Sequence, residues 1–121
     1  MSKEPLLDFI IDSIEQIKYE FKGIKSSDDF LRDREGIMKL DAISMRLQAI
    51  GETIKTIHKQ EEDFLKEFAP QEYWDMIIRM RDVISHHYIN IDAEIVFEVC
   101  QEELEQLENT IKKIKMQIEK E

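Results

Sequence analysis

Apolar residues return at intervals of three and four along two long stretches of the chain and gather into two further stripes, a pattern that fits α-helices buried on one face and not strands. The first stretch carries Leu7, Ile10, Ile14, Ile17, Phe21 and Ile24, with Pro5 in the opening turn, where its missing N–H costs no hydrogen bond. The second carries Ile37, Leu40, Ile43, Leu47, Ile50, Ile54 and Ile57. Pro70 then breaks the chain ahead of a shorter third stripe of Tyr73, Trp74, Ile77, Ile78, Met80 and Ile84. The last stripe, Ile95, Val99, Leu104, Leu107, Ile111, Ile114 and Ile118, follows a helix cap at Asn90 or Asp92. Between the first two stripes, Gly23 precedes Ser26, Ser27 and Asp28, a turn followed by candidate N-caps. Four such stripes on short connections bury themselves most economically in an all-α, antiparallel four-helix bundle, with room for a short extra helix. A single domain is expected over residues 1–121. Gly51 lies inside the second stripe. Glycine there costs about 1 kcal/mol relative to alanine, so the position is read as a close approach to another backbone.

Charge narrows the function classes. With 17 basic and 27 acidic side chains the formal net charge is -10, the wrong sign for a broad basic nucleic-acid surface. Contact with a nucleic acid must then be local. The single cysteine, Cys100, leaves no intramolecular disulfide and no cysteine-rich zinc site, and is assigned to the core. His58 lacks a second metal-type ligand one turn away and is read as a surface histidine. The six methionines are read as core or interface filler. Glu108 and Lys112 stand at helical spacing and are placed on a solvated outer face. The segment MSKEPLLDFIIDSIEQ interrupts its apolar run with Asp8 and Asp12, unlike a signal peptide, and no run is long enough to span a bilayer. A cytoplasmic protein without membrane contact is expected.

One short stretch stands apart from the stripes. RDVISHHY, residues 81–88, holds two of the three histidines beside an arginine and a tyrosine. Arg81 offers a permanently charged planar donor, His86 exchanges a proton near neutral pH, and Tyr88 supplies a phenolic hydroxyl. An arginine with a histidine suits metal-free phosphodiester cleavage, one stabilising developing negative charge and the other moving a proton. The plainer reading is a helix end at which Arg81 and the histidines complement the dipole, an effect of about 0.3–1 kcal/mol. No metal or other cofactor is expected. His86 and His87 are adjacent and diverge on a helix, and Asp82 and Asp92 stand at no established ligand spacing.

The arginine, four residues, histidine, any residue, tyrosine order of RDVISHHY resembles the motif of the HepT-like toxins, a branch of the HEPN superfamily of small helical ribonucleases. RLQAIGE, residues 46–52, is similar to the second-helix signature of that branch. YWDMIIRMRDVISHHYINID, residues 73–92, is similar to its third helix and following turn. The resemblance implies a metal-independent endoribonuclease acting as a toxin, with RNA as substrate and two motifs brought together in a homodimer. It assigns catalysis to Arg81 and His86 and a supporting place to Asp82. His87 fills the motif's free position and is a second candidate for the histidine role, although the place of Tyr88 favours His86. The family's partner is a minimal nucleotidyltransferase antitoxin that adenylylates the motif tyrosine, which makes Tyr88 a modification site. The alternative is a non-catalytic helical companion of a nucleotidyltransferase, which has no need for Arg81 and His86 together.

Overall fold

The computed structural model describes residues 3–86 and 92–120. The ordered elements are α1 (Glu4–Phe21), α2 (Ser27–Leu31), α3 (Arg34–Gln60), a 3₁₀ turn at Leu65–Glu67, α4 (Gln71–His86), α5 (Ala93–Glu98), a π turn at Val99–Glu103 and α6 (Leu104–Lys120). No strand occurs among the described residues. The last three elements run on as one long helical segment, so the expected all-α bundle is present with α2 as the short extra helix. No helix among the described residues is long and apolar enough to cross a membrane.

Side-chain pairs fix how the helices run. Lys3, before α1, meets Glu61, just beyond α3, so α1 and α3 are antiparallel. Lys18 pairs with Glu108, and Asp8 with Lys115 at 2.6 Å, so α6 descends along α1 in the opposite sense. The core between them holds Leu7, Ile10, Ile14, Ile43, Leu47, Ile50, Leu107 and Ile111, all at most 2% exposed. Burying each such side chain contributes about 1.5–3 kcal/mol.

The connections follow local chemistry. Gly23 takes φ +84°, a left-handed conformation that favours glycine, and ends the run of α1. Ser26 caps α2, and the Asp29 carboxylate accepts the Lys25 and Ser26 backbone N–H groups at 2.7 and 3.3 Å. Asp33 caps α3 by accepting the Gly36 N–H at 2.8 Å. Asp92 caps α5 through the N–H groups of Glu94 and Ile95; the other candidate, Asn90, lies outside the described residues. Trp74 is fully buried, and its indole N–H is shared between the Leu65 and Ala69 carbonyls at 2.8 and 3.2 Å. This anchors the start of α4 to the turn that precedes it.

Several expectations need correction, and one, that of the methionines as core or interface filler, is narrowed. Ile37 is 45% exposed, and its place in the core goes to Phe30 of α2. A β-carbon at Gly36 would collide with the Asp29 and Phe30 carbonyls, so α2 lies directly on that glycine and occupies the space Ile37 was expected to fill. Phe30 joins Phe21 and Phe97, with centroids 6.3 and 5.5 Å from the Phe21 ring. In the last helical segment the buried residues are Val96 and Cys100, not Ile95 and Val99. Ala93, Val96, Cys100, Leu104 and Leu107 keep three-and-four spacing through the π turn, so it is their face that continues into the α6 stripe. Glu108 does pair with Lys112, at 3.6 Å, but is only 7% exposed and also binds Lys18. It belongs to the α1–α6 contact and not to a solvated face. His58 is partly buried, and Met38, Met45, Met76 and Met116 are exposed and do not fill the core.

Candidate active site

The fourth helix sets Arg81 on the edge of its buried face. Trp74, Ile77 and Ile84 point into the core, and Arg81 falls at the same three-and-four spacing between the last two. A long aliphatic side chain tolerates that position because its stem packs while its head reaches solvent. The stem needs room on the facing helix, and Gly51 provides it. A β-carbon built at Gly51 would lie 2.5 Å from Arg81 Cβ and 3.1 Å from its Cγ. The expectation of another backbone at Gly51 is corrected: what approaches is the Arg81 side chain.

The guanidinium is held by two carboxylates. Its Nε–H donates to Asp82 Oδ1 at 3.0 Å, an Nη2–H donates to the same oxygen, and an Nη1–H donates to Glu52 Oε2 across the α3–α4 interface. The Arg81 side chain is 22% exposed, against 47% for Asp82 and 60% for Glu52. Hydrogen bonds to Asp82 and then Glu52 push its pKa above the ordinary arginine value, so it remains a cation at every working pH. One positive and two negative groups leave the cluster with a net charge of minus one. Among the described residues, three of the five guanidinium N–H groups are engaged and two have no partner.

The other motif residues are placed in part. Asp82 stands beside Arg81 and accepts two of its N–H groups. The α4 backbone continues to His86, whose side chain, like the whole of His87 and Tyr88, lies outside the described residues. Among the described residues, no group of three or more histidine, cysteine, aspartate and glutamate side chains stands close enough to hold a metal ion. Burial pushes the Cys100 thiol up to about 12, which makes it a packing residue and a poor nucleophile. Tyr73 is likewise pushed up to about 12, by burial and then by Glu103, and its hydroxyl has no hydrogen-bond partner among the described residues.

Glu52 was missed as a site residue. Its only signal in the sequence is its place next to Gly51 at the end of RLQAIGE, and an acidic side chain on an exposed helical position is ordinary. Its significance depends on Arg81, 29 residues away, and therefore on how α3 pairs with α4.

Comparison with known proteins bears on this arrangement. The sequence profile of the HepT-like family, described as Ribonuclease HepT-like, matches residues 10–114. A Methanocaldococcus jannaschii protein named provisionally as an RNase is 31% identical over 116 residues, covering 94% of this chain and 88% of its own. A Caldanaerobacter subterraneus subsp. tengcongensis protein, also named provisionally as an RNase, is 31% identical over 110 residues, covering 91% of each chain. A Thermococcus cleftensis protein named "probable ribonuclease HepT" is 30% identical over 114 residues, covering 94% of this chain and 96% of its own. No solved structure matches the chain.

Proposed function

Because the chain belongs to the HepT-like ribonuclease family, we propose that it is a metal-independent endoribonuclease whose reaction is carried by Arg81 and His86. The observation that supports this most directly is the built setting of Arg81, a cation whose stem packs against Gly51 and whose guanidinium has two N–H groups that no described residue engages. The ribose 2′-oxygen attacks the adjacent phosphorus, the bond from phosphorus to the 5′-oxygen breaks, and a proton passes from the attacking hydroxyl to the leaving oxygen. His86 takes up or delivers that proton, and Arg81 stabilises the charge growing on the non-bridging oxygens. The products carry a 2′,3′-cyclic phosphate and a free 5′-hydroxyl.

A second copy of the chain completes the site in this reading. One Arg81 inside an acidic cluster is a weak focus for RNA, and a two-fold arrangement doubles it. Met38 and Met45 are 63% and 70% exposed and share an α3 stripe with Glu52 at intervals of seven. They provide exposed apolar surface along the same face of α3, about 20 and 10 Å from Glu52 by the helical rise, for that second copy to cover. In the same reading the protein is a toxin, and a nucleotidyltransferase antitoxin silences it by adenylylating Tyr88.

The test is cleavage of single-stranded RNA by the purified full chain in excess chelator, with sedimentation of the same sample. Wild type is expected to cleave as a dimer and to leave 2′,3′-cyclic phosphate ends. Arg81→Ala and His86→Ala are expected to lose cleavage with helix content unchanged. Cleavage that requires a divalent ion would overturn the metal-free mechanism, and a monomer that cleaves would overturn the composite site. The net negative charge around Arg81 favours one other reading, a non-catalytic companion of a nucleotidyltransferase. Absence of cleavage by a well-folded wild-type dimer would select it.

A further inference from the structure

In the free protein, Arg81 is already occupied. Asp82 takes its Nε and Nη2 edge from the next position on the same helix, and Glu52 takes its Nη1 corner from the facing helix. A phosphodiester seeks the same donors and adds one more negative charge to a cluster that is already negative. It gains full access to the guanidinium only when a carboxylate withdraws. The two carboxylates are not equally able to do so. Asp82 makes two contacts to Arg81. Glu52 makes a single contact at the end of a longer side chain, 60% of which is in solvent, and rotation about its side-chain bonds alone moves it into water.

We infer that Glu52 is a positioning residue that holds the Nη1 corner of Arg81 in the free protein and surrenders it to the RNA phosphate, setting substrate affinity and not the rate of the chemical step. This rests on the reading of Arg81 as the group that meets the scissile phosphate. Without RNA, Glu52 keeps the guanidinium fixed against α3 with its stem on Gly51, and the carboxylate acts as an intramolecular stand-in for phosphate. With RNA bound, the ion pair passes from carboxylate to phosphate, so binding loses part of its gain to the displaced pair. The acidic cluster thus selects for a ligand that brings enough further contacts to displace Glu52, such as an extended RNA strand, over an isolated phosphate ion.

The experiment compares wild type, Glu52→Gln and Glu52→Asp as full-length proteins, each also combined with Arg81→Ala. Binding is measured with a 2′-O-methyl RNA oligonucleotide, which cannot be cleaved, and turnover with the matching unmodified strand. Glu52→Gln keeps the shape and a neutral hydrogen bond but removes the competing charge. It should bind the oligonucleotide about fivefold more tightly at low salt, a change on the scale of one exposed ion pair. Its KM should fall by the same factor with kcat unchanged, and its affinity should depend more steeply on salt. Glu52→Asp, which keeps the charge, should stay near wild type, and Arg81→Ala should erase the difference among all three. Equal affinity in wild type and Glu52→Gln overturns the inference, as does a fall in kcat at constant KM, or absence of RNA binding by every variant. If wild type cleaves while Glu52→Gln binds no more tightly, the ribonuclease reading stands and the inference fails. If Glu52→Gln binds more tightly and no variant cleaves, the competition stands and the cleavage reading fails.

Discussion

Gly51 and the stem of Arg81 share one close crossing of α3 and α4, where a single methyl on the glycine would stand 2.5 Å from Arg81 Cβ. Contact between two β-carbons cannot be relieved by a rotamer change, because both are fixed to backbone. The helices must separate or Arg81 must shift. Gly51→Ala sets a helix-propensity gain of about 1 kcal/mol against an overpacking cost of about 1–3 kcal/mol. A net loss of about 1 kcal/mol is expected in urea denaturation. RNA cleavage should fall more than stability does, by about tenfold or more, because a displaced guanidinium no longer meets the phosphate in register. A variant that is more stable than wild type and equally active would show that the crossing has slack.

Much of this architecture is legible in the sequence because a buried helical face repeats every three or four residues. Leu7, Ile10, Ile14 and Ile17 all reach the core as the spacing requires, and so does the run from Leu40 to Ile57. The stripe misleads where two apolar faces compete. Val99 stands five residues before Leu104, whereas Ala93, Val96 and Cys100 keep three-and-four spacing into Leu104 and Leu107, and it is that face that is buried. Phe30 carries no periodic signal, because a five-residue helix is too short to show one. At the site, the sequence points to Arg81 by its company within the motif. Glu52 has no such company, since its partner lies on another helix. A local pattern carries no information about which distant side chain will neutralise a charge.

A second consequence concerns acid stability. Glu108 is buried between α1 and α6, and burial by itself would raise its carboxyl pKa. Its ion pairs with Lys18 and Lys112 outweigh that and hold the group below its ordinary value of 4.5. A carboxyl depressed in the folded state contributes stability that is fully present above the unfolded value and lost as pH falls through the folded value. The contribution should therefore be constant from neutral pH to about 5 and decline below about 4.5. Urea midpoints recorded between pH 3 and 7 should fall less steeply on the acid side for Glu108→Gln than for wild type. Lys18→Met should lose about 2 kcal/mol at pH 7, the scale of a hydrogen bond to a charged group, and lose progressively less as the pH drops. Parallel curves for wild type and Glu108→Gln would show that the pair has the same strength in the unfolded chain.

Control of the activity is expected at Tyr88, two residues beyond His86 in the motif. A phenol so close to the proposed proton-transfer group is a suitable acceptor for an adenylyl group, which would bring both bulk and a phosphate. The added phosphate is an anion of the same kind as the RNA backbone, so in this reading it would compete with RNA for the Arg81 guanidinium. Steric exclusion and charge then act in the same direction, and a small modification suffices to silence the site. Tyr88→Phe should fold as wild type does, judged by helix content, and should resist neutralisation when co-expressed with the cognate nucleotidyltransferase. Peptide mass spectrometry of the wild-type protein from the same cells should find AMP on the peptide containing Tyr88. Tyr73 is the internal control, since its hydroxyl is buried and a transferase cannot reach it without local unfolding. An adduct confined to Tyr73, or neutralisation that persists unchanged in Tyr88→Phe, would place the control elsewhere in the molecule.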